Sequence, residues 1–196
     1  MSWDDGDTFS YRSSAGRKIR ARLRGYNTLE SYGPVHRWGE WTTDELYANA
    51  KAAAATAASR PWSCQKTGAD GGYGRVVVDC PELREALLRE GLAHAFWIDE
   101  AAPAAELKIQ AAAIAGRAGM WSKGAPQGLI TSLHSGDEKP DAVPYNRICD
   151  LQTGACPGVE HDAVYESCAE VCLRGSCMVY VPFARRYRNK AECLRR

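Results

Sequence analysis

The sequence predicts an α+β protein: a small Greek-key β-barrel of the OB type with helices packed beneath it, followed by a small disulfide-rich extension. The barrel is predicted by the order of short segments, which runs strands, helix, hairpin, helix, strand, helix. Such an order suits an OB-type barrel better than a doubly wound sheet. The extension is predicted by the cysteines, six of which crowd into the last 48 residues.

Local patterns justify the first elements in chain order. DTFSYRS and KIRARLRGY indicate two strands joined by the turn-like SSAGR, because polar and apolar residues roughly alternate in the second. An alanine-rich helix follows, since Thr42 and Glu45 stand in capping-box spacing at its start. WSCQ and GRVVVDC then favour a hairpin around the glycine-rich TGADGGYG.

Two further helices flank another strand. PELREALLREG opens with Pro81 and ends at Gly91, as a short helix does. AHAFWI is typical of a strand, and residues 103–118 are predicted as a helix with one apolar stripe. The stripe comprises Leu107, Ala111, Ile114 and Ala118.

A linker divides the chain in this interpretation. Residues 135–146 break all periodicity with charges and two prolines, which separates a domain of residues 1–134 from a cysteine-rich domain of residues 147–196. Within the second domain, residues 174–196 contain seven basic residues and one acidic residue. The net charge of the chain is only +1, so this basic end is the region that suits a polyanion.

The composition bounds the class of protein. With 45% apolar and 25% charged residues, the 196-residue chain resembles soluble globular proteins, and no apolar run approaches the roughly 20 residues that span a bilayer. We therefore expect no membrane partner. Eight cysteines predict disulfides and an oxidising compartment, hence a secreted or periplasmic protein. Met1 leads straight into polar residues, which fits a mature form whose leader was removed.

The cysteines also predict particular bridges. Cys64 precedes the hairpin and Cys80 ends it, so antiparallel strands would bring the two within bridging distance. The other six would pair among themselves in one of about 15 connectivities, with Cys168 and Cys172 in different bridges. Zinc is the alternative, because these two stand four residues apart, but the region offers only His161 as a further ligand. The six are Cys149, Cys156, Cys168, Cys172, Cys177 and Cys193.

Two carboxylates and two arginines form a set suited to phosphodiester hydrolysis. Asp7 of DGDT and Glu30 of RLRGYNTLE offer an oxygen ligand for a hard cation and a general base. Arg22 and Arg75 offer bidentate cations to a pentacoordinate phosphate. Taken alone, Asp7 is better explained as a turn residue, since Asp-Gly pairs mark hairpins, and Arg75 could be just another surface arginine of a strand.

The order of the short motifs adds a resemblance to a known family. DGDT, R-x-x-x-x-N-T-x-E, YGR, a GLA segment with an aromatic strand after it, and a late GMWS occur in this order. Over about residues 5–123 the chain resembles the staphylococcal nuclease (thermonuclease) family. The resemblance implies a five-stranded OB barrel with three helices. It also implies cleavage of the bond to the 5′ oxygen of DNA or RNA, leaving 3′-phosphate ends.

The implied cation site departs from the family at one position. Asp7 and the backbone carbonyl of Thr28 would bind one divalent cation, Ca²⁺ or Mg²⁺/Mn²⁺. Where the family has a second aspartate, this chain has Asn27, whose amide oxygen coordinates without charge. Weaker Ca²⁺ binding, a preference for Mg²⁺ or Mn²⁺, and lost activity are the three consequences to consider. We favour retained activity, because Arg22, Glu30 and Arg75 would have no reason to stay together in a dead site.

The resemblance assigns those remaining roles residue by residue. Arg22 would hold the scissile phosphate, and Glu30 would orient or deprotonate the attacking water. Arg75 would stabilise the transition state and the leaving group. Tyr73 would touch a nucleotide phosphate, and Trp97 would lie against the base.

Other aromatic and basic residues leave alternatives open. His36 is either a loop histidine, a phosphate contact, or a ligand or proton carrier near the cation. Trp38 and Trp41 either stack on bases or, as we favour, pack on the alanine-rich helix. VPFARRYR lies in the cysteine-rich domain of residues 147–196, which we call the tail. It is either a solvated charged face or an extension of a nucleic-acid surface.

These expectations converge on a monomeric, metal-dependent, sugar-nonspecific nuclease that acts on DNA and RNA without an obligate protein partner. The alternative is a non-catalytic module that holds nucleic acid or another polyanion on a nuclease-like barrel. A third possibility assigns the tail to docking a partner or to targeting.

Overall fold

The computed structural model describes residues 1–72, 74–98, 100–139 and 142–195, which form a mixed α+β fold. Its helices are α1 (Thr43–Ala58), α2 (Pro81–Arg89) and α3 (Ala104–Ala115). Its strands are β1 (Ser2–Trp3), β2 (Thr8–Arg12), β3 (Lys18–Leu23), β4 (Gly25–Thr28), β5 (His36–Arg37), β6 (Gln65–Asp70), β7 (Val76–Asp79), β8 (Ala93–Phe96), β9 (Gly128–Ser132), β10 (Tyr145–Asp150), β11 (Gly158–Glu160), β12 (Glu170–Leu173) and β13 (Ser176–Val179). Among the described residues, no helix is both long enough and apolar enough to cross a membrane.

The N-terminal half contains two sheets. The larger has the order β1-β2-β3-β7-β6, in which only β3 and β7 run parallel, and the smaller pairs β4 with β8. The segment predicted as one strand, KIRARLRGY, is two strands, because Gly25 takes φ +85° and turns the chain from one sheet into the other. The described strands close no barrel. The three helices and the separate sheets confirm the α+β class. The Greek-key barrel remains a prediction.

The start of α1 follows its local sequence signal. The Thr42 hydroxyl accepts a hydrogen bond from the Glu45 N–H at 3.2 Å, and the Glu45 carboxylate accepts one from the Thr42 N–H at 2.9 Å. This reciprocal pair is the predicted capping box. It fixes the residue at which the helix begins. The buried face of this helix comprises Leu46, Ala50, Ala53 and Ala57.

The predicted apolar stripe of α3 is wrong in part. Ala111 is exposed, and the other three members of the stripe are only half-buried. The helix instead buries Glu106, Gln110 and Ala113. Two polar side chains are buried here because each has hydrogen-bond partners on neighbouring elements, which apolar periodicity does not report.

Gln110 supplies a test of this packing. Its Oε1 accepts a hydrogen bond from the Ala95 N–H in β8 at 2.7 Å, and its Nε2 donates to the Leu151 carbonyl at 2.5 Å. Gln110→Leu leaves both backbone groups unpaired and should lower the free energy of unfolding by about 2–4 kcal/mol. Lys108→Leu, on the exposed face of α3, should change it by less than about 0.5 kcal/mol. Urea unfolding measures both, and equal losses would contradict this role of Gln110.

The tail packs on the N-terminal half through two small sheets. One has the order β11-β10-β9, and the other has the order β12-β13-β5, so β5 of the N-terminal half completes a sheet of the tail. β9 lies within the predicted first domain, and β10 begins at Tyr145 inside the predicted linker. Both halves contribute to one apolar cluster that includes Tyr32, Val35, Ile130, Leu133, Val181 and Leu194. The division into 1–134 and 147–196 remains a prediction.

All eight cysteines are disulfide-bonded. The pairs are Cys64–Cys80, Cys149–Cys156, Cys168–Cys193 and Cys172–Cys177. The predicted hairpin bridge and the three bridges within the tail are confirmed, and Cys168 and Cys172 have different partners. Because no cysteine is free, the zinc alternative is wrong.

Candidate active site

The DGDT turn places Asp7 at the buried centre of the site. The Asp5 carboxylate accepts a hydrogen bond from the Asp7 N–H at 3.1 Å, so Asp5 shapes the turn. A Cβ on Gly6 would lie 2.6 Å from Thr28 Cγ2 and 2.9 Å from the Ala53 Cβ on α1, which explains the glycine. Asp7, only 2% exposed, accepts hydrogen bonds from the N–H of Thr28 at 2.8 Å and from its hydroxyl at 3.2 Å.

Arg22 joins the Asp7 carboxylate to the amide of Asn27. One terminal nitrogen of Arg22 donates to Asp7 Oδ1, and the other donates to Asn27 Oδ1 at 2.5 Å. The Asn27 amide in turn donates to the Thr28 carbonyl at 2.8 Å. The structure thus brings the three residues predicted to hold a cation, Asp7, Asn27 and Thr28, into one hydrogen-bonded cluster beside a positive charge.

Glu30 lies in the loop after β4, close to this cluster. Burial raises the pKa of its carboxyl group to about 7. Among the charges, Arg186 has the largest effect and lowers the pKa, Asp7 raises it, and Arg22 and Arg75 lower it. A carboxyl group of this kind both accepts and releases a proton near neutral pH, as a general base must.

Asp5 contributes a third carboxylate, which sequence reasoning assigned only to the turn. Its pKa is raised well above the usual range by burial and by repulsion from Asp7 and Glu30. Carboxylates that repel one another across a small space favour a bound cation, because its charge relieves the repulsion. An Asp-Gly pair ordinarily marks a turn, so no sequence signal set Asp5 apart.

Arg75 lies in the connection between β6 and β7, immediately before β7. Its side chain donates hydrogen bonds to the carbonyls of Gly71 at 2.8 Å and Gly72 at 3.2 Å. Burial lowers the pKa of the Arg75 guanidinium, and the positive charge of Arg22 lowers it further. The two guanidinium groups therefore repel one another. The nucleotide contact predicted for Tyr73 lies outside the described residues.

His36 lies under the loop rather than at its surface. It is 4% exposed, and its Nε2 accepts a hydrogen bond from the Glu30 N–H at 3.2 Å. Burial, reinforced by His94, lowers the pKa of His36 to about 3, so the imidazole is neutral. The structure therefore does not present His36 to a substrate phosphate. It holds the backbone of Glu30 instead.

The tryptophans considered as base-stacking residues are buried. Trp97 is 9% exposed, its indole N–H donates to Glu106 at 3.0 Å, and the Arg24 guanidinium lies 5.0 Å from its ring centre. These contacts enclose the ring, so the structure does not present Trp97 to a base. Trp38 and Trp41 belong to the apolar cluster that includes α1, as the favoured packing interpretation predicts.

The tail contributes residues beside Glu30 that the sequence did not assign to the site. The Arg186 guanidinium lies 5.0 Å from the centre of the Tyr32 ring, and the Tyr187 ring packs edge-on against that ring at 6.2 Å. Partial burial raises the pKa of Tyr187, and the charges of Glu30 and Asp5 raise it further. The interleaved aromatic and basic residues of VPFARRYR were the signal for this segment.

A scan of the chain against protein-family models gave no match, and a search of the curated proteins gave none either. The class of the site therefore rests on its own residues: clustered carboxylates, one amide and several arginines around a carboxyl group that titrates near neutral pH.

Proposed function

We propose that the chain is a metal-dependent, sugar-nonspecific nuclease that hydrolyses phosphodiester bonds of DNA and RNA. The observation that carries the proposal is the convergence of Asp7, Arg22, Asn27 and Thr28 in one hydrogen-bonded cluster, with Glu30 next to it. These residues match the motifs DGDT and R-x-x-x-x-N-T-x-E one by one. Their meeting in space is what the resemblance to the staphylococcal nuclease family requires.

The scaffold we propose is an OB-type Greek-key barrel. In the five-stranded sheet β7 lies next to β3 and parallel to it although β6 comes first in the chain, so the sheet is not a simple meander, and this crossover supports the proposal. Four disulfides support a secreted or periplasmic location, since such bonds persist in oxidising compartments.

The proposed reaction uses Glu30, Arg22 and Arg75. The Glu30 carboxylate accepts a proton from water, whose oxygen forms a bond to phosphorus. The bond from phosphorus to the 5′ oxygen breaks, and that oxygen takes up a proton from solvent. The products are a 3′-phosphate and a 5′-hydroxyl. Arg22 and Arg75 neutralise the negative charge that grows on the phosphate oxygens.

The oxygen atoms of the cluster fit a hard divalent cation. Asp7 Oδ1 and Asn27 Oδ1 both accept hydrogen bonds from one guanidinium, so this point of the site attracts positive charge. Asp7, Asn27 and the Thr28 carbonyl would hold Ca²⁺ or Mg²⁺/Mn²⁺, in competition with Arg22 for the two side-chain oxygens. When bound, the cation supplies Lewis-acid polarisation of the phosphate.

A non-catalytic polyanion-binding module is the second candidate. The observation that favours it is the same pairing: Arg22 already neutralises Asp7, and Asn27 adds no charge to attract a cation. In that case the arginines bind phosphate and no bond is broken.

Digestion of plasmid DNA and of RNA in Ca²⁺, Mg²⁺, Mn²⁺ or EDTA decides between the two. The nuclease should cleave both polymers with at least one cation and lose all activity in EDTA. Undiminished digestion in EDTA would remove the cation from the proposal. Absence of cleavage under every condition, with a gel shift retained, would favour the binding module.

A further inference from the structure

Arg186 is fixed beside Glu30 with its outer nitrogens open. Its Nε donates to the Val181 carbonyl at 2.9 Å, and its guanidinium lies 5.0 Å from the ring centre of Tyr32 and 5.9 Å from that of Phe183. Within the described ranges, its two terminal nitrogens make no hydrogen bond or salt bridge. A guanidinium anchored at Nε retains the paired donors that bind a phosphate.

The rest of the tail holds this segment against the loop that carries Glu30. Gly33 of that loop touches the tail so closely that a Cβ on it would lie 2.3 Å from the Leu194 side chain. The Cys168–Cys193 bridge spans residues 183–188 and closes the loop that contains them. Packing and a covalent bond therefore set the position of Arg186 relative to the site.

Two aromatic side chains of the same segment face solvent. Phe183 is 69% exposed and Tyr187 is 63% exposed. Exposed rings next to an open guanidinium suit a single strand of nucleic acid, because its bases stack on rings while its phosphates bind cations. The bases of a duplex are stacked on one another, so a duplex gains less from such a surface.

We propose that residues 183–187 form a subsite for single-stranded nucleic acid beside the cleaved bond, in which Arg186 binds a neighbouring phosphate and Tyr187 stacks on a base. The inference rests on the proposed nuclease function, which supplies the strand. The Arg186 guanidinium packs on the ring of Tyr32, which is two residues along the chain from Glu30. A phosphate on Arg186 would therefore belong to the same strand as the phosphate that water attacks with the help of Glu30.

Binding of a fluorescent ten-nucleotide DNA strand to the full chain tests the subsite. Anisotropy is measured in EDTA, where the strand stays intact. Arg186→Ala should weaken Kd about tenfold and reduce the slope of log Kd against log salt by about 0.7, since one phosphate contact is lost. Arg188→Ala removes the same charge from an exposed neighbour and should change Kd less than about twofold.

The stacking contact has its own comparison. Tyr187→Ala should weaken binding of the normal strand about fivefold or more, and this loss should disappear on an abasic strand, which has no base to stack. A Tyr187→Ala loss of the same size on both strands would overturn the stacking contact. If thermal unfolding shows that Arg186→Ala is not folded, Arg186→Lys replaces it, with a loss of about threefold expected because the paired donors are gone.

The outcomes separate the subsite from the nuclease proposal. If the wild type cleaves DNA but Arg186→Ala and Arg188→Ala bind equally well, the subsite is wrong and the nuclease proposal is unaffected. If the wild type cleaves nothing but Arg186→Ala alone loses binding, the nuclease proposal is wrong and the strand-binding surface stands. Failure of the wild type to bind the strand at all would overturn the subsite.

Discussion

Glu30→Gln should lower kcat on single-stranded DNA by a factor of about 10² to 10⁴. The amide has the size of the carboxylate but does not accept a proton from water. The hydrogen bond from the Glu30 N–H to His36 belongs to the backbone, so the substitution leaves it in place. Initial rates at saturating DNA measure the loss, and thermal unfolding shows that the variant is folded.

Glu40→Gln is the matched control. Glu40 is an exposed glutamate ten residues further along the chain, so its replacement removes the same charge without touching the cluster. Its kcat should stay within about twofold of the wild type. A Glu30→Gln variant that turned over at a similar rate would move the proton acceptor to another residue.

The pH dependence of the wild type follows from the same group. Glu30 accepts a proton only when it is ionised, and its pKa is raised to about 7, mainly by burial. The rate should therefore fall as the pH is lowered through this value and rise as the pH is increased through it.

Elements whose signals are local were predictable from the sequence. The capping box of α1 involves two residues three apart, and the hairpin bridge joins cysteines at the two ends of one supersecondary unit. Both depend on neighbours in the chain. The break between β3 and β4 also has a local cause, the positive φ of Gly25, but many glycines within strands do not turn the chain.

Contacts between distant segments account for most of what the sequence did not predict. Gln110 reads as a polar helix residue, and it is buried with hydrogen bonds to Ala95 of β8 and to Leu151 of the tail. His36 reads as a loop histidine, and it is neutral because the fold covers it. In both cases the partner is set by tertiary packing, which periodicity along one element does not report.

The candidate site divides in the same way. Asp7, Arg22, Asn27, Thr28 and Glu30 come from one stretch of chain, and motif order alone was enough to select them. The proposed subsite of residues 183–187 reaches the same place through the sheet that β5 shares with the tail and through a disulfide. Its composition was visible in VPFARRYR, but its position next to Glu30 was not.

The Asn27 amide is the point at which one substitution should strengthen the site. It is 6% exposed, accepts a hydrogen bond from Arg22 at 2.5 Å, and donates one to the Thr28 carbonyl at 2.8 Å. Asn27→Asp adds a negative charge among the proposed ligands and removes the donor that occupies the carbonyl. Since affinity for a hard cation rises with ligand charge, the cation concentration for half-maximal rate should fall about tenfold or more.

Calorimetric titration of the chain with Ca²⁺ and Mg²⁺ measures the same change without any turnover. Gln152→Glu, which makes the same amide-to-carboxylate replacement at an exposed position in the tail, should leave the cation affinity within about twofold. Asn27→Asp affinities that matched this control would show that Asn27 does not touch the cation. A tighter Asn27→Asp site would mean that the neutral amide limits cation binding, with Asp7 as the charged ligand and Arg22 as its competitor.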